Sequence, residues 1–305
     1  MRRFLYLLAA IGLMIAPLAA AQQQRANPKA DLQVARPTWP AGTGPRVIID
    51  GGHANFHRVD GRYAPFAALL RNDGFRVEGR DGPFTAESLA GIDVLAIVNA
   101  LNPRTRTEGV PLSAFTDEEI AAVRNWVEGG GHLLLVADHM PFAFAAAKLG
   151  AAFGVTRWED GFALQDDPKA LDIFDRASGL ADQPITRGAG ADPAVTSIRT
   201  FTGSAFVAPD ATPLIVLDKR FTVLTPDEPW QFTDKTPRTP AAGLLQGASV
   251  VVGKGRVVLL GEAAFMTSQL KAGSDEVAGI GAPGAEQNPQ FVLNMMHWLA
   301  GAPGY

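Results

Sequence analysis

Short apolar runs alternate with amphipathic segments in the first half of the chain, and this alternation predicts the fold class. Residues 47–49, 92–98 and 132–137 are almost wholly apolar and of strand length, as expected for strands covered on both faces of a sheet. Between them lie segments with apolar positions at helical spacing. Strands that alternate with helices in this way predict an α/β fold with a mostly parallel sheet.

Local signals mark the ends of two of these helices. Pro65 in a first turn and Gly74 as a terminator predict a helix at about 63–73. Thr116 and Glu119 have the spacing of a capping box, in which each side chain bonds the other's main-chain N–H at the start of a helix. Both helices therefore have their own start signals, independent of the strands around them.

The second half of the chain is less regular. Between 157 and 213, short possible strands are separated by Pro, Gly and Asp, which predicts an irregular insertion rather than a second domain. A β-hairpin is expected at 248–260 and a closing helix after Pro289. The stretch 263–287 is longer than a compact connection needs, which makes it a candidate for a lid. The sequence thus predicts a single domain over 46–305.

The first 21 residues have the three regions of a secretory signal peptide. Arg2 and Arg3 precede an apolar run over 4–18, and three alanines ending at Ala21 give a small-residue cleavage site. An uncleaved anchor is the alternative. We expect a flexible leader at 22–45, no stable membrane anchor after cleavage, and a periplasmic or secreted protein.

Composition excludes several classes of protein. The chain of 305 residues has a formal net charge of -4 and no cysteine. It therefore has no disulfide, no thiolate metal ligand and no cysteine nucleophile. A mildly acidic chain without a cluster of lysine and arginine argues against nucleic acid as a partner. The expected partner is a small molecule or a glycan, and the oligomeric state stays open.

Polar side chains suited to metal binding or acid–base chemistry follow several predicted strands. Because the carboxyl ends of parallel strands share one edge of a sheet, these side chains are expected to converge there. Imidazole and carboxylate groups suit zinc, iron or manganese, and such a metal lowers the pKa of its bound water. The predicted metal ligands are Asp50, His53, His57 and His139. The predicted catalytic residues are Asp138, His139 and Glu262, and the predicted substrate-binding residues are Asn99, Arg104 and Arg106.

Structural roles are open for each of these residues as well. Asp50 and Asn99 are common turn formers, and the arginines of the 102–111 loop are suited to a solvated surface. Two further histidines, His132 and His297, lie away from the predicted edge, and we expect structural roles for both.

The order of four motifs resembles the class I glutamine amidotransferase-like superfamily. The motifs are Asp50-Gly-Gly-His53, Val136-Ala-Asp138-His139, Gly253-Lys-Gly-Arg-Val-Val-Leu-Leu-Gly-Glu262 and a closing Asn-Met-Met-His-Trp-Leu helix. More narrowly, residues 46–301 are similar to ThuA-like proteins and to exported bacterial proteins of the DUF4350 type. The resemblance implies a flavodoxin-like three-layer sandwich with a mostly parallel central sheet.

The resemblance also bears on activity. Amidotransferases of this superfamily place a nucleophilic cysteine at the turn that Asp138 occupies here, and a histidine and a glutamate after a late strand, where only Glu262 remains. Without cysteine, glutamine hydrolysis through a thioester is excluded. Asp138 is then a candidate nucleophile or general base, with His139 as its proton partner. The association of ThuA-like proteins with sugar metabolism implies a carbohydrate-derived ligand.

Three functions remain open from the sequence. The leading hypothesis is an exported, metal-dependent hydrolase that acts on a carbohydrate-derived substrate. The first alternative is a non-catalytic module that binds a glycan or a protein, for which aromatic side chains at the cleft would be the signature. The aromatic candidates are Phe56, Phe142, Phe265 and Trp158. The second alternative is a metal-free acid–base enzyme that uses Asp138 and His139 alone.

Overall fold

The computed structural model describes residues 24–108 and 110–305, and the predicted signal peptide lies outside this range. The strands are β1 (Arg25–Ala26), β2 (Arg46–Asp50), β3 (Arg76–Arg80), β4 (Val94–Val98), β5 (His132–Val136), β6 (Arg157–Glu159), β7 (Phe162–Gln165), β8 (Ile173–Asp175), β9 (Ser197–Arg199), β10 (Ala205–Val207), β11 (Thr212–Val216), β12 (Phe221–Leu224), β13 (Arg238–Pro240), β14 (Leu245–Val252), β15 (Gly255–Leu260), β16 (Ser268–Leu270) and β17 (Val277–Gly279). The helices are α1 (Ala64–Asn72), α2 (Ala86–Leu89), α3 (Pro103–Glu108), α4 (Asp117–Glu128), α5 (Phe142–Ala151), α6 (Pro184–Arg187) and α7 (Asn288–Ala300), with a 3-10 helix at Ala264–Met266.

The central sheet has a parallel part of five strands, and antiparallel strands extend it on one side. Its parallel strands follow the order β3-β2-β4-β5-β15. β14 pairs antiparallel with β15 as the expected hairpin, and β10 and β6 continue the sheet, while β11 also pairs with β14. His132 at the start of β5 is level with Val94 of β4 and Arg256 of β15. The carboxyl ends of these strands therefore lie side by side.

Helices cover both faces of this sheet. In β2, Val47 and Ile49 pack on the side of α1 and α7, whereas Ile48 packs on the side of α4 and α5. Burial on both faces explains why the parallel strands are continuous apolar runs rather than alternating ones. The predicted fold class, a three-layer α/β sandwich with a mostly parallel sheet and a C-terminal hairpin and helix, is confirmed.

The capping signals act as the sequence indicates. At the start of α4, the Thr116 hydroxyl accepts from the N–H of Glu119 at 3.2 Å, and the Glu119 carboxylate accepts from the N–H of Thr116 at 2.9 Å. Pro65 stands in the first turn of α1, and α7 ends at Gly301 in the left-handed conformation with φ +64°. These helix ends are therefore determined by local sequence rather than by tertiary packing.

The segment before β2 is packed against the domain, in contrast to the flexible leader expected at 22–45. β1 pairs with β16, and the Trp39 ring lies 4.6 Å from the Phe75 ring. The N–H of Thr38 donates to Asp73 at 2.9 Å. Sequence periodicity missed this packing because the apolar contacts come from scattered residues, Leu32, Val34 and Trp39, with no helix or strand period.

Other connections also differ from expectation. The loop expected at 102–111 contains α3, since Pro103 suits a first helical turn and the Asn102 side chain accepts from the N–H of Arg104 at 3.0 Å. The candidate lid at 263–287 instead forms β16 and β17, which join β1 in a small sheet. The insertion at 157–213 is partly regular, because β6 and β10 extend the central sheet. Among the described residues, we find no helix long and apolar enough to cross a membrane.

Candidate active site

Four neighbouring strands bring polar side chains to one edge of the sheet. Asp50 is the last residue of β2, Asn99 follows β4 directly, and Asp138 and Glu262 come two residues after β5 and β15. All four side chains are buried. Their closeness is a consequence of parallel topology, since the four positions are far apart in sequence.

Asn99 connects two of the predicted site residues. Its backbone has φ +56°, in the left-handed region that asparagine tolerates better than most residues. Its side-chain oxygen accepts from the N–H of Asp138 at 2.9 Å, and its Nδ2 donates to Nδ1 of His57 at 3.1 Å. Asn99 therefore fixes the main chain that carries Asp138 and the orientation of the His57 ring.

His57 is a buried, neutral imidazole. Because Asn99 donates to Nδ1, the ring proton is on Nε2, which faces the side-chain amide of Gln269 at 3.5 Å. The buried Gln269 Oε1 has no partner among the described residues, and an exchange of the amide oxygen and nitrogen would let it accept this proton. Burial, with the charges of Arg62 and His139 in addition, lowers the pKa of His57 to about 3.

His53, in the same loop, is a buried imidazolium. Its Nδ1 donates to Asp50 at 2.9 Å and its Nε2 to Glu119 at 2.8 Å, so both ring nitrogens carry a proton. Burial opposes the charge, but the hydrogen bonds and charges of the two carboxylates outweigh it and raise the pKa of His53. The rings of Phe84 and Phe115 lie 4.5 and 4.9 Å from the imidazole. This cluster fixes the loop after β2 to α4.

Asp138 and Glu262 form a pair of neighbouring carboxyl groups. Glu262 is 1% exposed and accepts from the N–H groups of Ala264 at 2.6 Å and Phe265 at 3.0 Å. Burial, followed by the charge of Asp138, raises the pKa of Glu262 well above its ordinary value despite those bonds. Asp138 is 8% exposed and accepts from the N–H of His139 at 2.7 Å. Burial therefore favours the protonated form of Glu262.

Arg62 and Tyr63 surround this pair, and neither was predicted as a site residue. The Arg62 guanidinium carbon lies 4.3 Å from the centre of the Phe56 ring. Burial lowers the pKa of Arg62 to about 10, and the charge of Asp138 opposes part of this shift. The buried Tyr63 hydroxyl donates to the carbonyl of Ala263 at 2.7 Å. A cation and a phenol thus accompany the two carboxyl groups.

Two aromatic rings contact half-buried His139 and a third ring packs on them, and we call these three residues, Phe162, Trp230 and Phe232, the aromatic wall. The His139 ring stacks on Phe162 with centroids 4.6 Å apart and meets Trp230 edge-on at 4.8 Å. Phe232, 36% exposed, lies 5.2 Å from Phe162. Trp230 adopts φ +67°, a strained conformation that the packing of its ring maintains. Because His139 Nδ1 donates to the carbonyl of Met140 at 2.8 Å, its Nε2 is the nitrogen available to a ligand.

The four predicted metal ligands do not form one donor set. His53 uses both nitrogens on carboxylates, and His57 is bonded to Asn99. In residues 24–108 and 110–305, no three histidine or acidic side chains are arranged to hold a metal ion. The set Asp50, His53, His57 and His139 is not assembled, because Asp50 and His53 bond each other and His57 bonds Asn99. The residues present therefore do not fit zinc, iron or manganese.

The predicted substrate-binding arginines differ from Asn99 in their setting. Arg104 is on α3 and pairs with Glu108 at 2.6 Å on the protein surface. The Arg106 side chain lies outside the part of the chain that the structure describes. Asn99, in contrast to Arg104, contacts the main chain of Asp138.

His132 and His297 lie away from this edge, as expected. His297 donates to Asp73 and to Asp192, both at 2.6 Å, and these partners overcome burial and raise its pKa to about 9. His132 accepts from the N–H of Arg256 at 3.1 Å. Both contacts hold elements of the fold together.

The four aromatic candidates from the sequence are mostly core residues. Phe142 and Phe265 are buried, and the buried Trp158 indole donates to the Ser204 hydroxyl at 2.9 Å. Of the four, only Phe56 is half-buried, and its ring lies against the Arg62 guanidinium at this edge of the sheet. The aromatic wall was missed because Trp230 and Phe232 lie in a polar, proline-containing stretch with no periodicity.

One further acid accompanies His139 and was also missed. Asp160 accepts from the N–H of Phe144 at 3.1 Å, at the start of α5. Burial raises the pKa of Asp160, although this bond and the charge of His139 oppose the shift. In the sequence, Asp160-Gly161 resembles an ordinary turn. Asp160 comes close to His139 only because the fold places the start of β7 next to the site.

Comparisons with known proteins support the fold. No protein-family model matches the chain, and no curated protein matches it in sequence. Among solved structures, the N-terminal domain of mmIFT52 is similar at 12% identity, over 83% of this chain and 97% of that one, with a TM-score of 0.56. A likeness at this identity shows the fold alone.

Two further solved structures are similar with lower TM-scores. A ThuA-like protein from Bacteroides uniformis is 12% identical, over 90% of this chain and 95% of that chain, with a TM-score of 0.44. A protein described as a GMP synthase subunit from Thermoplasma acidophilum is 11% identical, over 85% and 95% of the two chains, with a TM-score of 0.43. These likenesses say nothing about activity.

Proposed function

We propose that this protein is a binding module that recognises a carbohydrate-derived molecule, without a metal, at the edge formed by Asp138, His139 and the aromatic wall. The aromatic wall is the observation that carries the proposal. Flat apolar surfaces combined with a few fixed polar groups are the usual composition of a small-molecule site.

The polar groups at this edge match the hydroxyl groups of a sugar. A hydroxyl both donates and accepts, so it can pair with the Asp138 carboxylate, with His139 Nε2 or with the Arg62 guanidinium. The C–H face of a sugar ring is apolar and suits the rings of Trp230 and Phe232. The mixture of donors, acceptors and aromatic rings favours a neutral polyhydroxylated ligand over a strongly charged one.

Binding is favoured over metal-dependent hydrolysis because most of the predicted metal ligands, and one of the three predicted catalytic groups, are bonded within the protein. Both nitrogens of His53 are occupied, and His57 is bonded to Asn99 inside the protein. Glu262 is enclosed, with its oxygens bonded to main-chain N–H groups. Asp138 and His139 remain, and they need no metal to bind a hydroxyl group.

Calorimetric titration of the purified protein with cellotriose, maltotriose and chitotriose tests this proposal. We expect saturable binding of at least one sugar, and a loss of about tenfold in affinity in Trp230→Ala, equivalent to about 1.4 kcal/mol. Val251→Ala removes an exposed apolar side chain from β14 and should leave the affinity unchanged. No binding by any sugar, or equal affinity in both variants and wild type, contradicts the proposal.

A second function, a metal-free hydrolase, has its own supporting observation. Burial and the charge of Asp138 raise the pKa of Glu262, and a protonated carboxyl group beside a second acid is a common acid–base arrangement. In this case Asp138→Asn abolishes hydrolysis of 4-nitrophenyl glycosides while binding of the trisaccharide persists. Turnover that is absent in wild type, or equal in Asp138→Asn, removes this candidate.

We also infer that the protein is exported, on the basis of the charged, apolar and small-residue regions of residues 1–21. The test is the mass of the protein expressed with its full sequence in a Gram-negative host. A periplasmic form that begins at Gln22 supports export, and a form that retains residues 1–21 in the cytoplasm contradicts it.

A further inference from the structure

A groove lies at the amino ends of β4 and β5, on the edge of the sheet opposite the candidate site. It is lined by Asp93, Trp126, Gly131, His132 and Ala300 among others, and its volume is about 420 Å³. Small-molecule sites typically have volumes of about 300–1,000 Å³. The groove is therefore large enough for a ligand.

The Trp126 ring occupies the space that a side chain at position 131 would need. A Cβ atom on Gly131 would lie 2.1 Å from the indole Cε2, so the ring rests directly on the glycine. The N–H of Gly131 also donates to the Trp126 carbonyl at 3.0 Å. Because the indole is fixed before any ligand arrives, binding to it loses little conformational entropy.

His132 presents a defined donor to this groove. Its Nδ1 accepts from the main-chain N–H of Arg256, so the proton of the neutral ring is on Nε2. The described residues provide no partner for Nε2, which is not enclosed. Burial, with the charge of Arg256 in addition, lowers the pKa of His132, so the ring is a neutral donor.

Asp93 presents the matching acceptor. Its Oδ2 accepts from the N–H of Arg46 at 2.6 Å and lies 3.9 Å from the Arg76 guanidinium. Its Oδ1 has no partner in the described part of the chain, and the side chain is half exposed. The nearby arginines offset the charge of Asp93, and neutral His132 adds none.

We propose that this groove is a second carbohydrate-binding site, in which a sugar ring stacks on Trp126 while its hydroxyl groups accept from His132 Nε2 and donate to Asp93 Oδ1. One aromatic face, one donor and one acceptor match a neutral ring with adjacent hydroxyl groups. The site uses none of the residues of the first site, so the two proposals stand separately.

Titration of the ¹⁵N-labelled full protein with cellotriose, maltotriose and chitotriose, followed by the indole N–H signals, tests this proposal. The Trp126 signal is assigned from Trp126→Phe, which keeps an aromatic ring on Gly131. We expect this signal to shift saturably with at least one sugar. His132→Asn retains an oxygen that accepts from Arg256 but removes the Nε2 donor, and should weaken binding about threefold to tenfold.

The two sites are distinguished by their own tryptophans. Trp230→Ala should leave the Trp126 titration unchanged, whatever its effect at the opposite edge. A Trp126 signal that does not move with any of the three sugars overturns the proposal. So does a saturable shift that keeps the same affinity in His132→Asn, provided that the variant has the unfolding temperature of the wild type.

Discussion

His53 and His57 lie four residues apart in one loop, but the His53 ring is positively charged and the His57 ring is neutral. His53 donates from both ring nitrogens to Asp50 and Glu119, and these carboxylates raise its pKa against the effect of burial. His57 accepts from Asn99, and burial lowers its pKa to about 3. The His53 ring is a cation between the carboxylates of Asp50 and Glu119, and the His57 ring is a neutral group between Asn99 and Gln269.

The comparison shows that sequence position does not determine what a buried histidine does. Both residues follow the same strand and satisfy the same pattern that suggested metal ligands. The difference comes from partners distant in sequence, namely Glu119 on α4 for His53 and Asn99 after β4 for His57. A buried imidazole takes the charge that its neighbours stabilise.

Removing His53 should have the largest effect. His53→Ala leaves the carboxylates of Asp50 and Glu119 facing each other in a buried site without their cation, at a cost of about 3–5 kcal/mol. Denaturant unfolding at pH 7 gives this free energy. A loss below about 1 kcal/mol would mean that the cluster is not an ion pair in solution.

The pH dependence of stability should separate the two histidines. The pKa of His57 is about 3 in the folded protein, below the ordinary 6.5, so its contribution is complete above pH 6.5 and is lost as the pH falls toward 3. By pH 5 this loss amounts to about 2 kcal/mol. His57→Asn, which keeps an acceptor for Asn99, should flatten this acid limb of the unfolding free energy.

His53 should act in the opposite pH range. Since its pKa is raised on folding, its contribution is complete below pH 6.5 and is lost as the pH rises through the folded value. His53→Gln should therefore flatten the alkaline limb and keep the acid one. If both variants change the same limb, the two rings do not differ in charge.

Asn99 provides a smaller effect with an internal control. Asn99→Ala removes the bonds to Asp138 and His57 and places an alanine at φ +56°, with an expected loss of about 2–3 kcal/mol. Asn99→Gly removes the same bonds without the backbone strain and should lose about 1 kcal/mol less. Equal losses in the two variants would show that the backbone at residue 99 is not strained. Thermal or denaturant unfolding measures both.

The parts of the molecule that the sequence predicts are those with local or periodic signals. The apolar runs of β2, β4 and β5 and the capping box at Thr116 define the fold, and the positions of Asp138 and Glu262 at strand ends follow from it. Partners that arrive from distant loops leave no such signal. Arg62, Trp230 and the pairing of His53 with Glu119 became visible only in three dimensions.

The most direct test of a metal-free binding site is the affinity of the protein for whichever of the three trisaccharides it binds, measured before and after exhaustive dialysis of the protein against EDTA. We expect saturable binding with the same affinity in both samples, and weaker binding of the same sugar by His139→Ala in each. Binding that disappears after dialysis and returns on addition of zinc, iron or manganese would contradict a metal-free site.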